Sequence, residues 1–278
     1  MIDLHTHSTC SDGSLTPEEL ASAAAAAKLE AVALTDHDTT GGLLAFLATA
    51  HQSGLRGITG IEISAEHHPG AMHMLGYFFD PAHAGLQEKL GKLRAGRNER
   101  NRKILQKLCE LGLELTWEEV HALAGGEVVG RPHFARALIA RGHVKDKDEA
   151  FGKLLARGQP AYAERFRLSP ADSISMIRAA GGVAVLAHPC SLKLGQKQLR
   201  ALLLELRAAG LEGLEVYHSE HNPSQTRLYH RLATDLGLAL SGGSDFHGTL
   251  MPDIKLGYGF GGLRVPAELL PKLEARRP

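Results

Sequence analysis

Short apolar runs alternate with longer amphipathic stretches over the first eighty residues, and again over the last hundred. Residues 2–7, 31–35, 58–63 and 73–79 are aliphatic runs bounded by turn residues, which predicts strands. Residues 183–187, 214–217 and 238–241 repeat the pattern. Helical segments with clear start and stop signals lie between them. Thr16-Pro17-Glu18-Glu19 is a capping box with Pro in the first turn, and the alanine-rich run to Lys28 extends that helix. A helix over 42–52 stops at Gly54. Ser169-Pro170-Ala171-Asp172 opens another, and residues 198–209 and 224–236 form two more. Strands mostly followed by helices predict parallel βαβ units. Closed into a barrel, such units bring the strand C-termini to one face. An open doubly wound sheet is the alternative, although no Gly-rich dinucleotide turn follows the first strand.

The rhythm breaks between residues 84 and 167. A long helix is predicted over 86–111, ending at Gly112, followed by a second capping box at Thr116-Trp117-Glu118-Glu119. Residues 132–141 and 148–156 read as two further helices. The chain therefore divides into a barrel, residues 1–83 and 168–278, and a helical insertion, residues 84–167, expected to cover the barrel mouth.

Composition narrows the chemistry. The 31 acidic and 31 basic residues balance, so no global field argues for bulk nucleic-acid binding. Sixteen histidines are many for 278 residues and point toward metal chemistry. The three cysteines, Cys10, Cys109 and Cys190, form no CxxC pair, which argues against a thiolate cluster and fits a reducing cytosol. With no apolar run long enough to span a bilayer and no room for a leader before His5, a cytoplasmic location without membrane association is expected.

The polar residues at the strand ends then form a set. His5 and His7 stand two apart in the first strand, so both side chains project one way. Taken alone, the pair fits a surface edge strand as well as a metal site. Asp12 follows the same strand, His37 the second, Glu62 lies on the third and His73 opens the fourth. His188 ends the fifth strand, and Asp245 and His247 follow the seventh. Nine nitrogen and oxygen donors exceed the needs of one ion, and so many buried groups require cations to balance them. The mixture suits manganese, iron or zinc and is too rich in nitrogen for magnesium or calcium.

Asp3-Leu4-His5-Thr6-His7-Ser8, Thr35-Asp36-His37-Asp38, Gly60-Ile61-Glu62-Ile63, Ala187-His188-Pro189 and Gly243-Ser244-Asp245-Phe246-His247 resemble the motifs of the PHP (polymerase and histidinol phosphatase) family. The resemblance runs from end to end apart from the insertion. It implies a distorted (β/α)7 barrel and a trinuclear metal centre, where the donor count alone fits two to three divalent ions, manganese foremost. By position, it assigns His5, His7, Glu62 and Asp245 to a first ion. Glu62, His73 and His188 are assigned to a second, and Asp12, His37 and His247 to a third. The insertion resembles that of the branch acting on nucleotides, which comprises 3′,5′-nucleotide bisphosphate phosphatases and 5′-to-3′ exoribonucleases.

Such a site is expected to hydrolyse phosphate esters by attack of a hydroxide shared between two ions. Glu62 and Asp245 are its central carboxylates, and His218, just past the sixth strand, is a candidate acid, with an exposed loop histidine as the alternative. His221 has the same standing, while Asp36 and Asp38 flank a ligand and are candidates to support it. Arg94, Arg97, Arg100, Lys103 and Lys107 make one helical stripe, mostly a solvated face, from which Arg94 or Arg97 can grip a remote phosphate. Arg131 and His133, in Arg131-Pro132-His133-Phe134-Ala135, open a helix and are stronger candidates for a second phosphate site. The expected substrate is a nucleotide with two phosphates or a short 5′-phosphorylated RNA, with no obligate protein partner. A histidinol-phosphate-type phosphatase and a metal-binding regulator without turnover are the competing readings.

Overall fold

In the computed structural model, which describes residues 1–278, seven strands follow one another in chain order around a single sheet. The strands are β1 (Ile2–Asp3), β2 (Ala31–Leu34), β3 (Arg56–Ala65), β4 (Met72–Tyr77), β5 (Val183–Leu186), β6 (Gly213–His218) and β7 (Ala239–Gly243). Backbone bonds from Leu4 N–H to the Gly242 carbonyl (3.1 Å) and from His7 N–H to the Phe246 carbonyl (2.9 Å) tie the last strand to the first. The sheet is thus a nearly closed barrel. Alternation along the strands explains the closure. Ala31, Ala33, Val183 and Val185 pack inside with Leu4 and Tyr77, whereas Val32, Leu34, Ala184 and Leu186 pack outward under the helices.

The outer helices are α1 (Pro17–Ala26), α2 (Leu43–Gln52), α7 (Pro170–Ala179), α8 (Gln196–Ala208) and α9 (Pro223–Asp235), while Leu269, Leu270 and Leu273 of α10 (Leu269–Glu274) pack with the inward-facing strand residues. Both predicted capping boxes form: Thr16 Oγ1 accepts from Glu19 N–H, and the Glu19 carboxylate accepts from Thr16 N–H, with the same exchange between Thr116 and Glu119. The insertion supplies α3 (Ala84–Glu110), α4 (Trp117–Ala122), α5 (Arg131–Ala140) and α6 (Lys147–Ala150). The helix expected over 148–156 is instead α6 followed by one π-helical turn, Phe151–Leu155. The insertion has an apolar cluster of its own, with Ile104, Leu108, Val120, Phe134, Leu138 and Leu155 at its centre. No helix is long and apolar enough to cross a membrane.

Three expectations need correction. The strands are not all parallel: β4 runs antiparallel to both β3 and β5. The six residues 66–71 turn the chain directly from β3 into β4 with no crossover helix between them, so β4 runs back along β3. Glu62 does not stand at a strand end but inside β3, whose register runs on to Ala65 against β4. Finally, β1 is two residues long. The His5–His7 segment continues it as extended chain, bonding to Thr35 on one side and to the segment after β7 on the other.

Candidate active site

The nine predicted donors meet at one mouth of the barrel. His5 and His7 do point together: each Nε2 lies 3.1–3.3 Å from Glu62 Oε2 and from Asp245 Oδ1. Gly243 permits the approach, since a Cβ there would lie 2.3 Å from His5 N. Glu62 uses its two oxygens differently. Oε2 faces His5, His7 and His37 Nδ1 (3.1 Å), and Oε1 faces His73 Nδ1 (2.6 Å) and His188 Nε2 (3.0 Å). The antiparallel course of β4 is what brings His73, near its start, beside Glu62. Asp12 stands 3.4 Å from His247 Nε2 and 3.8 Å from His37 Nε2.

The donor atoms are close but poorly aligned for bonding to one another. His5 Nε2, His7 Nε2, His37 Nδ1, Asp12 Oδ1 and Asp245 Oδ1 are buried without a hydrogen-bond partner. Buried polar atoms are seldom left so. Donors ringing one ion at bonds of about 2.1 Å stand roughly 3.0–3.4 Å apart, the spacing found here. Four groupings bring their donor atoms together: His5, His7, Glu62 and Asp245; His37, Glu62 and His73; His7, Asp12, His37 and His247; and His5, Glu215 and His218. These clusters are able to hold metal ions.

Tautomers support the same reading. His5 Nδ1–H donates to Glu215 Oε1 (2.9 Å), leaving the Nε2 lone pair free. Ser191 gives its hydrogen to the Ala71 carbonyl, so its oxygen accepts from His188 Nδ1–H (2.9 Å). His247 Nδ1–H donates to the Asp245 carbonyl (2.8 Å). In all three, the free lone pair is the one on Nε2. His218 is the reverse: its Nδ1 accepts from Glu220 N–H (3.1 Å), so in the neutral ring the hydrogen sits on Nε2, 3.5 Å from Asp245 Oδ2. It is 3% exposed, not a solvated loop residue. His221 is tied to the Val216 carbonyl through Nδ1.

Burial alone would raise the carboxylic acids, but the surrounding imidazoles hold Asp12, Glu62 and Asp245 well below the usual carboxylate range. Glu215, with His5 and His218 beside it, is held at about 2. Burial depresses a histidine, yet hydrogen bonds and charge from Asp245 and Glu62 outweigh that at His7 and push it up to about 10. The pocket therefore attracts positive charge, whether protons or cations.

Sequence reasoning missed Glu215. It is fully buried, holds His5 by one oxygen and accepts from His188 N–H (2.6 Å) by the other. A lone acid inside an otherwise apolar strand was the available signal. Asp36 accepts from Ser8 and Ser11 and shapes the loop after His7. Asp38 instead pairs with Arg97 (2.6 Å) and Arg165 (3.0 Å), joining the insertion to the loop of His37.

A basic cavity of about 390 Å³ opens beside the cluster, with Asp12, His37 and His73 on its wall. Arg97, Arg100, Arg131, Arg157, Arg165, Arg167 and Lys147 also line it. Asp38 pairs with two of these cations and Glu164 with two more, Arg157 and Arg167. Arg100, Arg131 and Lys147 have no carboxylate partner. Arg131 lies between the Phe151 and Tyr162 rings, with its Cζ 5.7 and 5.6 Å from their centroids. Arg100 is pulled well below its ordinary pKa by burial and by four neighbouring guanidiniums. These are the marks of a cavity short of an anion.

The helical stripe is thus not a solvated face: Arg97 and Arg100 are 6% and 4% exposed, because α3 turns them under the insertion. Lys103 alone of the five is a solvated surface residue, pairing with Glu99, while Arg97 lines the basic cavity. Arg94 does not reach the cavity wall; it donates to the Asp38 carbonyl and faces Glu127. His133 is buried, and its Nδ1 accepts from Gly130 N–H (2.9 Å), which makes it a helix cap and not a wall residue.

Residues 3–164 match the PHP domain model. The chain belongs to the PHP domain family. A 3′,5′-nucleoside bisphosphate phosphatase of Chromobacterium violaceum is 38% identical, over 88% of this chain and 87% of that protein. A 5′-3′ exoribonuclease of Haemophilus influenzae is 36% identical, over 88% of this chain and 89% of that one. A predicted metal-dependent phosphoesterase from Bifidobacterium adolescentis superposes with a TM-score of 0.88 at 30% identity, covering 100% of this chain and 96% of that structure.

Proposed function

We propose that the protein hydrolyses the phosphate ester on the 3′ oxygen of a nucleotide that also carries a 5′ phosphate. The coarse activity follows from family membership: the chain is a hydrolase of phosphate esters. The carrying observation for the finer reading is the basic cavity opening directly on the donor cluster. A substrate with one phosphate at the cluster and a second in that cavity uses both. The 3′,5′-bisphosphonucleotides meet this requirement, as does the first nucleotide of a short 5′-phosphorylated RNA.

His5, His7, Glu62 and Asp245 would hold one ion, Glu62, His73 and His188 a second, and Asp12, His37 and His247 a third. Manganese is the first choice, with iron or zinc as alternatives, since the donors are imidazole and carboxylate without thiolate. Divalent ions bound there supply an activated water and offset the charge that builds on the phosphoryl oxygens. The chain's own part is positioning. Glu62 offers one oxygen to each of two donor sets, and Glu215 aims His5. His218 presents an N–H toward Asp245 Oδ2, so it suits a donor to a substrate oxygen and not a ligand. Arg131, stacked and without a carboxylate partner, is the principal grip on the remote phosphate, with Arg97 beside it.

Purified protein supplied with manganese should release inorganic phosphate from adenosine 3′,5′-bisphosphate in preference to histidinol phosphate. Absence of release with any divalent metal ends this reading. Arg131→Ala should raise KM for the bisphosphate about tenfold or more, the loss of a charge-assisted contact of roughly 1.5–3 kcal/mol. Its effect on p-nitrophenyl phosphate should be small; equal effects would place Arg131 outside recognition.

A further inference from the structure

Two cavities open on the donor cluster, and the reaction proposed above uses one of them. The second, of about 410 Å³, shares Asp12, His37, His73, Pro132 and Lys147 with the basic cavity and also reaches Asp245 and His247. Its far wall is different in kind. Pro132, Ala135 and Ile139 form one face of α5, and Leu250 and Met251 come from the turn after β7. Ile139 is 36% exposed, a partly open apolar side chain of the insertion. Arg136 and Lys147 border this apolar slot, and neither has a carboxylate partner; Arg136 donates only to the Leu123 carbonyl. Helix α5 divides the two cavities. Arg131 at its start and Gly130 just before it line the basic one, Pro132 borders both, and its 135–139 face lines the apolar one.

Apolar walls edged by cations without carboxylate partners suit a nucleobase joined to a phosphate. We infer that the second cavity receives the nucleotide on the 3′ side of the phosphate being cut. Its base lies against Ile139, Leu250 and Met251, and its own 3′ phosphate lies near Arg136. The inference rests on the functional reading above and extends it. A bisphosphonucleotide ends at its 3′ phosphate and leaves this cavity empty. A 5′-phosphorylated oligonucleotide continues through it. In both, a water oxygen bonds to phosphorus and the bond from phosphorus to the 3′ oxygen breaks. One water proton ends on the departing 3′ oxygen, and the other goes to the new phosphate or to solvent. With the oligonucleotide, that phosphate stays on the 5′ oxygen of the next nucleoside. The shortened strand therefore carries a fresh 5′ phosphate of the kind the basic cavity binds.

The experiment compares kcat/KM for 5′-phosphorylated triadenylate with that for adenosine 3′,5′-bisphosphate, with manganese present. Ile139→Asp and Met251→Asp, on the two walls, should each lower the ratio of triadenylate to bisphosphate activity by about tenfold, the scale of one lost apolar contact. The turnover of the bisphosphate by each variant also reports that it is folded. An unchanged ratio in both variants overturns the assignment of the cavity. Wild-type protein that dephosphorylates the bisphosphate but leaves triadenylate intact overturns the inference while the functional reading stands. Protein inactive on both overturns the reading itself, and the inference with it.

Discussion

Glu215 shows what one residue contributes and why it was hard to read. Alternation along a strand sets Glu215 and His218, three apart, on opposite faces. A register irregularity between Glu215 and Tyr217 in the pairing of β6 with β7 breaks that alternation. As a result both reach the cluster, Glu215 at His5 Nδ1 and His218 at Asp245. A buried carboxylate on the far nitrogen of a ligating imidazole fixes its tautomer and ring angle, and losing it commonly weakens metal binding 10- to 100-fold. Glu215→Gln should therefore bind manganese about tenfold more weakly by calorimetry. Glu215→Ala, which also frees His188 N–H, should lose more. An unchanged manganese affinity in both variants would reduce Glu215 to a packing residue.

The insertion is the element whose reading changed most. Its helices were legible from capping boxes and from the glycine that ends α3, but the partners of its charges were not. A basic stripe is solvated or buried according to what packs on it, and α3 meets Asp38 of the barrel and Val129 of its own insertion. His133 belongs to this scale. It holds the first turn of α5 as a neutral acceptor, and burial keeps its pKa down to about 4 against 6.5 for a free imidazole. The folded protein thus resists a proton that the unfolded chain accepts. His133's contribution to stability is whole above pH 6.5, declines as pH falls from 6.5 to about 4, and levels off below that. The full loss is on the order of 3 kcal/mol. His133→Gln keeps an acceptor of the type common at this cap position and does not titrate. Urea unfolding from pH 7 to 4 should show a shallower loss of stability in that variant; parallel curves would mean His133 is protonated alike in both states.

Across the whole molecule, the barrel gathers four ionised carboxylates, Asp12, Glu62, Glu215 and Asp245, into one buried mouth. Separately each would be costly to bury, and together they repel. Cations that bind only the folded barrel relieve that cost, so stability and metal content are linked. Manganese at a hundred times its dissociation constant should stabilise the fold by about 2.7 kcal/mol for each site filled. For a chain of this size, that raises the unfolding midpoint by on the order of 5 °C. Chelation should reverse the shift, as measured by calorimetric scans with and without EDTA. A midpoint indifferent to both would mean that the pocket meets its charge with protons alone.

The polar residues that converge at the barrel mouth, and their order along the chain, were legible in the sequence, because donor chemistry depends on residue type and strand ends announce themselves through local alternation and caps. The seven strands and the helical interruption were legible for the same reason. Three matters belonged to the tertiary structure. The reversal of β4 sets His73 against Glu62, the shifted register in β6 lets His218 face inward alongside Glu215, and Asp38 rather than solvent receives Arg97. Each depends on a partner distant in the chain. Periodicity reports which face of an element is apolar, but only packing decides which charge comes to stand opposite it.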